Sequence, residues 1–598
     1  MITRDVPPLQ IKVEQVDNIP IIVATLIKMG VQEVIDQHHQ RHGHHQGLSE
    51  GWLALIFLAY ILSEEDHKMV SVENWAVEHQ HTLERLIGQS IRRTDFTDDR
   101  IGDVLRYLSA DSLWLPVDEQ ISQQSIRVYE LDEGGPVRLD ATVGGVYHDE
   151  EKSQLFKVGK NKEGGFGVQF KIMLGALDPM GLVIAADVVS GERADDPLYI
   201  PMYLRISNIL GGAGRLYVGD SKMGSLETRG TITAGGDYYL MPLAMIGAVP
   251  ELLAEQLKRV EEGEIELQDI YLPPDPAEKP DPALVIAQGF EIERQQETVV
   301  EGEKVVWNER LLIIRSKSFA EAQIKGFEAR LARAEAEIMA LTPPPGRGKR
   351  QFRDGAALAQ QIEVILKRYQ VTDYLDIELE RQVSWQQVRG YKGKPERIEE
   401  KVRYQVHLSR REEAIEQAKF RQGWRVYATD APPTKLSLND AVLAYRGQYL
   451  VEAEFAQIKG PLLKLLPLYV QRDDHALGLI RLLTLALRVL TLIEFTTRRS
   501  LAQEGEEELQ GVYQGNPKRK TSRPSARLLL AAFDNISLIV QRNDEGEIEP
   551  LHLTPLSQTQ ERILSLLGLP TDLYTRLLDI PVLLPFVQQT EGVVVAPT

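Results

Sequence analysis

Residues 137–147 read VRLDATVGGVY, and this stretch decides the interpretation of the chain. Its Val, Thr and Tyr residues are typical of a β-strand, and Val137 and Leu139, which come just before Asp140, predict that the strand is buried. A lone carboxylate in a buried strand costs several kcal/mol unless it is paired, hydrogen-bonded or bound to a metal. Asp140 is therefore a candidate functional residue whose partners come from elsewhere in the chain.

The segments after this strand follow a definite order. Two more β-rich segments separated by turns predict an antiparallel meander, and a helix and two further strands come next. The fourth strand ends in a second carboxylate, Asp220. This order, followed by a later helix, is the ribonuclease H-like topology, in which the middle of the first strand and the end of the fourth lie side by side. The segments are 168–178 and 181–191 for the meander, 195–210 for the helix, and 215–220 and 237–243 for the last strands.

A third carboxylate, Glu452, lies in a helix that we predict over residues 440–460. At about 100° per residue, Glu454 lies about 160° from Glu452 and points away from any site that Glu452 forms. We therefore expect the change Glu454→Ala to be nearly silent. A solvated helix face also produces a polar stripe, so the pattern alone does not establish a function. The polar side chains within about 40° of Glu452 are those of Tyr445, Gln448 and Lys459.

Three carboxylates gathered in one place would repel one another unless divalent cations neutralise them. Mg²⁺ suits sites with oxygen ligands alone, and two ions about 3.5–4 Å apart can clamp the attacking and leaving oxygens of a phosphoryl transfer. The predicted cofactor is therefore a pair of Mg²⁺ ions, with Mn²⁺ as an alternative. The predicted ligands are Asp140, Asp220 and Glu452.

The composition restricts the class of protein. With 598 residues, the chain is expected to form several domains or one domain with large insertions. It has no cysteine, which excludes disulfides, thiolate zinc sites and cysteine nucleophiles and suits a reducing cytoplasm. The net charge of −19 argues against a surface coated with positive charge for nucleic acid, but local basic patches remain. These patches are 347–353, 392–403 and 518–527.

The long apolar segments are expected to be buried helices, not membrane spans. Residues 52–62 are too few to cross a bilayer, and residues 480–495 carry charged side chains. The fold class that we predict is α/β, with a ribonuclease H-like core interrupted by an insertion. The expected regions are a helical N-terminal DNA-binding region (1–125), the first part of the core (130–245), a mostly β insertion (246–420), the second part of the core (421–500), and a basic linker with a small helical tail (501–598).

The acidic triplet resembles that of DDE transposases of bacterial insertion sequences. One branch of this family carries the signature Y-x2-R-x3-E-x6-K on the helix of the last acid and a large insertion before that acid. The strand residues DAT (140–142) are similar to the family's first-acid strand, and VGDSKMGS (218–225) is similar to its second. The resemblance covers roughly residues 130–500. On the helix, Tyr445, Glu452 and Lys459 are in register with the signature, Gln448 stands at the Arg position, and Arg446 lies two residues earlier.

The resemblance implies an enzyme that cleaves DNA at the ends of a mobile element and joins the freed 3′-hydroxyl to target DNA. It implies double-stranded DNA as the partner, both as terminal inverted repeats and as target, and at least a dimer in the complex that pairs two ends. A cytoplasmic protein that associates with the nucleoid on binding DNA is expected, without a membrane. The residues expected to contact DNA are Tyr445, Arg446, Gln448 and Lys459.

Two alternatives stay open. A two-metal nuclease on the same core would cut DNA without joining it. A non-catalytic or degenerate DNA-binding protein derived from a transposase would bind element ends through its helical region and basic patches and would need no metal. The uncharged Gln448 and the acidic composition favour this last alternative, whereas the intact acidic triplet disfavours it.

Overall fold

The computed structural model describes most of the chain in two compact units. The first unit comprises Met1–Met241, Glu297–Trp307 and Ala444–Thr598, and the second comprises Pro242–Gln296 and Asn308–Leu443. The described residues are 10–39, 46–131, 134–161, 164–273, 284–346, 349, 351–390, 395–505, 508–542 and 548–579.

The N-terminal part of the first unit is mainly helical. Its helix Glu50–Glu64 begins at the N-cap Ser49, whose hydroxyl accepts a hydrogen bond from the N–H of Trp52. Most of the apolar run 52–62 is buried inside this unit, as the sequence analysis expects of a core helix. The elements are β1 (Gln10–Gln15), α1 (Ile19–Lys28), α2 (Val31–His38), α3 (Glu50–Glu64), α4 (Met69–Glu78), α5 (Gln80–Ile87), α6 (Asp98–Ser109) and α7 (Asp111–Tyr129).

A mixed sheet follows and gives the unit its α/β character. The elements are β2 (Val137–Gly145), β3 (Lys157–Lys160), β4 (Phe166–Leu177), β5 (Leu182–Ser190), α8 (Tyr199–Leu210), β6 (Leu216–Val218), α9 (Leu226–Ala234) and β7 (Tyr238–Pro242). Within this unit the strand order is β3-β4-β2-β6-β7, and β5 also pairs with β4. β2 is antiparallel to β4 and parallel to β6, and β6 is parallel to β7. This arrangement brings β2 and the end of β6 next to each other.

The second unit contains long helices as well as strands, so the expected mostly β insertion understates its helical content. Apolar side chains of two helices and a long hairpin form its buried cluster, which includes Leu331, Ile362 and Val406. The tip of a second hairpin, Glu297–Trp307, belongs to the first unit. The elements are α10 (Val249–Glu261), β8 (Gln268–Leu272), β9 (Leu284–Val300), β10 (Glu303–Ser316), α11 (Lys317–Ala340), α12 (Gly355–Tyr369), β11 (Leu375–Val388), β12 (Arg397–Arg410), α13 (Glu412–Phe420) and β13 (Trp424–Thr429).

The chain then re-enters the first unit. The helix Asp473–Gln503 is long and apolar enough to cross a membrane by length and composition, but 94% of its apolar window is buried inside the protein, as in a core helix. Near the C-terminus, Ser537–Arg542 pairs with β1 and with Ile548–Leu553. The elements are α14 (Leu438–Arg446), α15 (Tyr449–Lys459), α16 (Asp473–Gln503), β14 (Leu509–Gln510), β15 (Lys520–Thr521), α17 (Ala526–Ala531), β16 (Ser537–Arg542), β17 (Ile548–Leu553) and α18 (Gln558–Leu566).

Candidate functional site

The first two acids belong to the neighbouring parallel strands β2 and β6, Asp140 within β2 and Asp220 two residues after β6. Val137 is opposite Tyr217, and Arg138 is opposite Val218. Continued by two residues, this register sets Asp220, just after the end of β6, at the same level as Asp140. Neighbouring strands lie about 4.8 Å apart, so the two aspartates occupy adjacent positions at this point of the sheet.

The carboxylate of Asp220 is held by two donors. The hydroxyl of Tyr199, the first residue of α8, donates to its Oδ1 at 2.6 Å. The backbone N–H of Lys222 donates to the same oxygen at 2.8 Å, so that Asp220 caps the short 3₁₀ turn after β6. Burial, together with the negative charges of Asp220 and Asp140, raises the pKa of the Tyr199 hydroxyl well above its usual value. Tyr199 is thus a protonated hydrogen-bond donor to Asp220.

The predicted single helix over 440–460 is in fact two helices, α14 and α15, separated by Gly447 and Gln448. The guanidinium of Arg138 donates to the carbonyl of Ala444 at 2.7 Å, an oxygen that an unbroken α-helix would use for the N–H of Gln448. That N–H instead bonds to the carbonyl of Tyr445 at 3.0 Å, which tightens the turn. The break between the two helices is therefore caused by a tertiary contact, the hydrogen bond from Arg138 on β2.

Arg138 itself is held firmly and lies close to the chain at Gly447. Its Nε and Nη2 donate to the two carboxylate oxygens of Asp178 at 2.7 and 2.6 Å. A Cβ on Gly447 would lie 2.1 Å from Nη2 of Arg138, so this position has no room for a side chain. Arg138 is two residues before Asp140, on the same face of the strand. It connects the acid-bearing strand to the α14–α15 junction.

α15 is attached to β2 near both of its ends. The side-chain amide of Gln448 donates to the carbonyl of Leu139 at 3.2 Å. The ammonium group of Lys459 donates to Oγ1 of Thr142 and to the carbonyl of Val143, both at 2.8 Å. The helix therefore runs along β2 in the direction of the strand.

These attachments determine where Glu452 lies. It follows Gln448 by about 40° around the helix and precedes Lys459 by about 20°, so it shares the face of α15 that meets β2. Glu452 is four positions after Gln448 in the eleven-position span to Lys459, so it lies about one helical turn beyond the Gln448 attachment. Its side chain is exposed. The sequence-predicted acids thus lie on β2, just after β6, and on the facing side of α15.

The residues predicted to contact DNA are placed differently from one another. Arg446 is exposed and Tyr445 is partly buried. Gln448 is only 9% exposed, and the polar head of Lys459 binds β2. In this arrangement Gln448 and Lys459 act as attachments of α15, and Arg446 is the member of the group that presents its charge to solvent.

Glu454 lies on the buried side of α15, away from β2. It is 5% exposed, and its carboxylate accepts a hydrogen bond from the hydroxyl of Thr491 on α16 at 2.9 Å. Burial raises the pKa of the Glu454 carboxyl to about 8, and the nearby charge of Glu494 adds to this effect. Glu454 therefore helps to pack α15 on α16, and the expectation that its replacement is nearly silent is not supported by this environment.

The donor set of the site consists of carboxylate oxygens, which is the chemistry that Mg²⁺ prefers. In the described ranges no group of three or more His, Cys, Asp or Glu side chains is gathered closely enough to hold a metal ion. Asp140 and Asp220 share one level of adjacent strands, so among the described residues this position supplies two carboxylates of the kind that a divalent cation prefers, and not a gathered set of three.

The basic patches are only partly described. Residues 347, 350, 392 and 394 lie outside the described residues, whereas the loop 518–527 is described, and its five basic side chains are exposed. The guanidinium of Arg519 lies 4.0 Å from the centroid of the Tyr513 ring. The loop contains no acidic residue. Lys520 lies 3.7 Å from the carboxylate of Glu508 and Arg527 lies 3.7 Å from that of Glu65, so the positive charge of this segment is partly compensated by acids elsewhere in the chain.

Sequence reasoning missed Tyr199, Arg138, Asp178 and Gly447. A charged residue two positions before Asp140 in a buried strand was one available signal, because buried arginine requires an acidic partner. For Tyr199 no local signal existed, because its hydrogen bond joins a helix to a residue beyond the next strand.

Residues 11–113 match the model of a domain of unknown function, DUF4277, which corresponds to β1 through the start of α7. No curated protein matches the chain. A cryo-EM structure of the piggyBac transposase synaptic complex with hairpin DNA is similar over 86% of this chain and 77% of that chain, with 10% sequence identity and a TM-score of 0.33. This similarity is too distant to assign a fold or an activity.

Proposed function

We propose that the chain is a DNA transposase of the DDE type with a ribonuclease H-like catalytic core. The observation that carries the proposal is the parallel register of β2 and β6, which sets Asp140 and Asp220 at one level beside the attached helix α15. Glu452, on the facing side of α15, is the third acid of the proposed site. At least two copies would act together, because two element ends must be paired.

The proposed reaction is phosphoryl transfer. Water replaces the 3′ oxygen of a phosphodiester at the element end, and the freed 3′-hydroxyl then replaces the 3′ oxygen of a target phosphodiester. Asp140, Asp220 and Glu452 would hold Mg²⁺ or Mn²⁺, which supplies neutralisation of the carboxylates and polarises the phosphate.

The chain's own residues have separate roles in this proposal. Tyr199 orients the carboxylate of Asp220 through its 2.6 Å hydrogen bond. Gln448 and Lys459 keep α15 along β2. Arg446, exposed at the end of α14, offers a cation to a DNA phosphate close to the site.

The test uses the full-length protein and a labelled duplex that carries the DNA flanking its own gene. Nicking and strand joining are scored with Mg²⁺, with EDTA, and with the variant Glu452→Gln. Joining that requires the cation and is lost in the variant supports the proposal. Cleavage without joining contradicts strand transfer and indicates the two-metal nuclease.

A second candidate function is DNA binding without catalysis. It is favoured by the absence, in the described part of the chain, of three acidic side chains already gathered for a metal. Titration of the protein with Mn²⁺, followed by electron paramagnetic resonance, separates the two functions without an activity assay. Binding of Mn²⁺ that is weakened by Asp220→Asn supports the enzyme, whereas tight DNA binding with no Mn²⁺ site supports the non-catalytic protein.

A further inference from the structure

We propose that Gln448 and Arg138 are a matched pair of positioning residues, which together set α15, and with it Glu452, against the Asp140 strand. The inference rests on the proposed function for its catalytic consequence. The structural part of the inference is that Arg138 makes a glutamine necessary at position 448.

The two residues contact neighbouring points of the same two segments. Arg138 bonds to the carbonyl of Ala444 and abuts Gly447, while Gln448 bonds to the carbonyl of Leu139. Each of the two segments, β2 and the α14–α15 junction, therefore donates one hydrogen bond from a side chain and accepts one at a backbone carbonyl. The contacts lie just before Asp140 on β2 and just before the first turn of α15, so a shift in either residue moves Glu452 relative to Asp140.

The positive charge at the α14–α15 junction already comes from Arg138 on the strand β2. Arg138 is 2% exposed, and its carboxylate partner Asp178 is engaged by two of its nitrogens. Gln448 is also buried, and its Oε1 has no hydrogen-bond partner among the described residues. An arginine at 448 would bring a second guanidinium into a buried space beside the first. A buried charge without its own acidic partner is strongly unfavourable.

This arrangement accounts for an uncharged residue at position 448. The side-chain amide reaches the Leu139 carbonyl with one donor and adds no charge. Gln448 therefore belongs to the architecture of this site, and the replacement Gln448→Arg is expected to damage it.

The experiment compares four variants of the full chain. Gln448→Arg adds the charge, and Gln448→Met keeps a similar length but removes the donor. The double variant Arg138→Gln with Gln448→Arg exchanges the two side chains. Gln457→Arg is the matched control, because it adds the same charge about 180° away on the same helix.

Two readouts are collected after circular dichroism and thermal unfolding have shown that each variant folds. The first is the single-turnover rate of cleavage of the flanking-DNA duplex at saturating protein. The second is hydrogen exchange of the peptide spanning 447–459, which reports the attachment of α15 and needs no activity.

We expect Gln448→Arg to lower the cleavage rate by about 10- to 100-fold without weakening DNA binding, because a small displacement of a reacting group has an effect of this size. Exchange of 447–459 should become faster in Gln448→Arg and in Gln448→Met, and the exchanged pair should recover part of both losses, as coupled residues do. Gln457→Arg should match the parent protein in both readouts.

An unchanged or higher rate in Gln448→Arg, or an equal loss in Gln457→Arg, overturns the inference. If the parent protein does not cleave DNA at all, the proposed transposase function fails, and the exchange data still decide the matched pair. Protection of 447–459 that is unchanged in Gln448→Arg and Gln448→Met would then reject it. If Gln448→Arg does not fold, Gln448→Met carries the same comparison.

Discussion

Glu452 and Glu454 are two residues apart in α15 but lie in opposite environments. Glu452 is exposed on the side of β2, whereas Glu454 is buried and accepts a hydrogen bond from Thr491. The change Glu454→Ala should lower the free energy of unfolding by about 1–3 kcal/mol, because it removes a buried partner of Thr491. Glu452→Ala should leave stability nearly unchanged and abolish cleavage.

Urea unfolding and cleavage assays test whether Glu454→Ala loses stability and Glu452→Ala loses cleavage. An inactive but fully stable Glu454→Ala protein would mean that Glu454, and not Glu452, serves the site.

The hydrogen bond from Tyr199 to Asp220 predicts a loss of activity in Tyr199→Phe. The variant removes only the hydroxyl, so Asp220 keeps the N–H of Lys222 but loses its second donor. We expect cleavage to fall by about tenfold or more and stability by about 1–2 kcal/mol. Tyr449→Phe is the control, because Tyr449 is 63% exposed on α15. Full activity in Tyr199→Phe would remove Tyr199 from the site.

The close approach of Arg138 to Gly447 predicts that Gly447→Ala is damaging. The guanidinium cannot move aside easily, because Asp178 and the Ala444 carbonyl hold it. We expect a loss of about 1–3 kcal/mol, as in other overpacked sites, together with reduced cleavage. Gly167→Ala in β4 is the matched control, because a Cβ there meets nothing within 4 Å. Thermal unfolding of both variants decides the prediction, and equal melting temperatures would contradict it.

The buried His81 in α5 predicts a loss of stability in acid. It is 3% exposed, and burial lowers the pKa of its imidazole below the usual 6.5. The unfolded chain therefore binds this proton more readily, and the free energy of unfolding should fall as the pH drops below about 6.5. The variant His81→Leu lacks this titrating group, so its free energy of unfolding should fall less between pH 7 and pH 5 than that of the parent protein. Urea unfolding at both pH values measures the difference, and parallel losses would show that His81 does not contribute.

The basic loop 518–527 predicts a salt-dependent contribution to DNA binding. If Lys518 or Arg523 contacts a phosphate, its replacement by Gln should reduce the slope of log affinity against log salt by about one. Lys367→Gln, in the second unit, is a control with the same change of charge. Binding of a flanking-DNA duplex at several salt concentrations gives the slopes. An unchanged slope in both loop variants would place the DNA elsewhere.

Local patterns in the sequence predict most elements around the site. The strands β2, β4, β5, β6 and β7 and the helix α8 lie where periodicity and turn residues indicate them, because each contains enough apolar positions to show its period. The strand β3 (Lys157–Lys160) was missed, since KVGK is short, polar and interrupted by glycine.

The break between α14 and α15 could not be predicted from local sequence. Gly447 alone is compatible with a helix at a modest cost. The break depends on the hydrogen bond from Arg138 to Ala444, which joins residues 306 positions apart. The same reason applies to Glu454, whose burial is set by α16 and not by its own helix. The helical periodicity predicts the directions in which Glu452 and Glu454 point, but not the residues that their side chains contact.

The segments joined by these hydrogen bonds lie far apart in the sequence, and this has a consequence during protein synthesis. The hydrogen bonds that hold α15 on β2 join residues 309, 316 and 317 positions apart. A ribosome adding about 5–20 residues per second needs tens of seconds to pass from one partner to the other. Once Asp220 has been added, the nascent chain carries both aspartates but not yet Glu452, so the growing polypeptide has an incomplete acidic triplet. A premature stop within the second unit would likewise release a product that lacks the third acid, and under the proposed function such fragments would be unable to cut the DNA of the cell that made them.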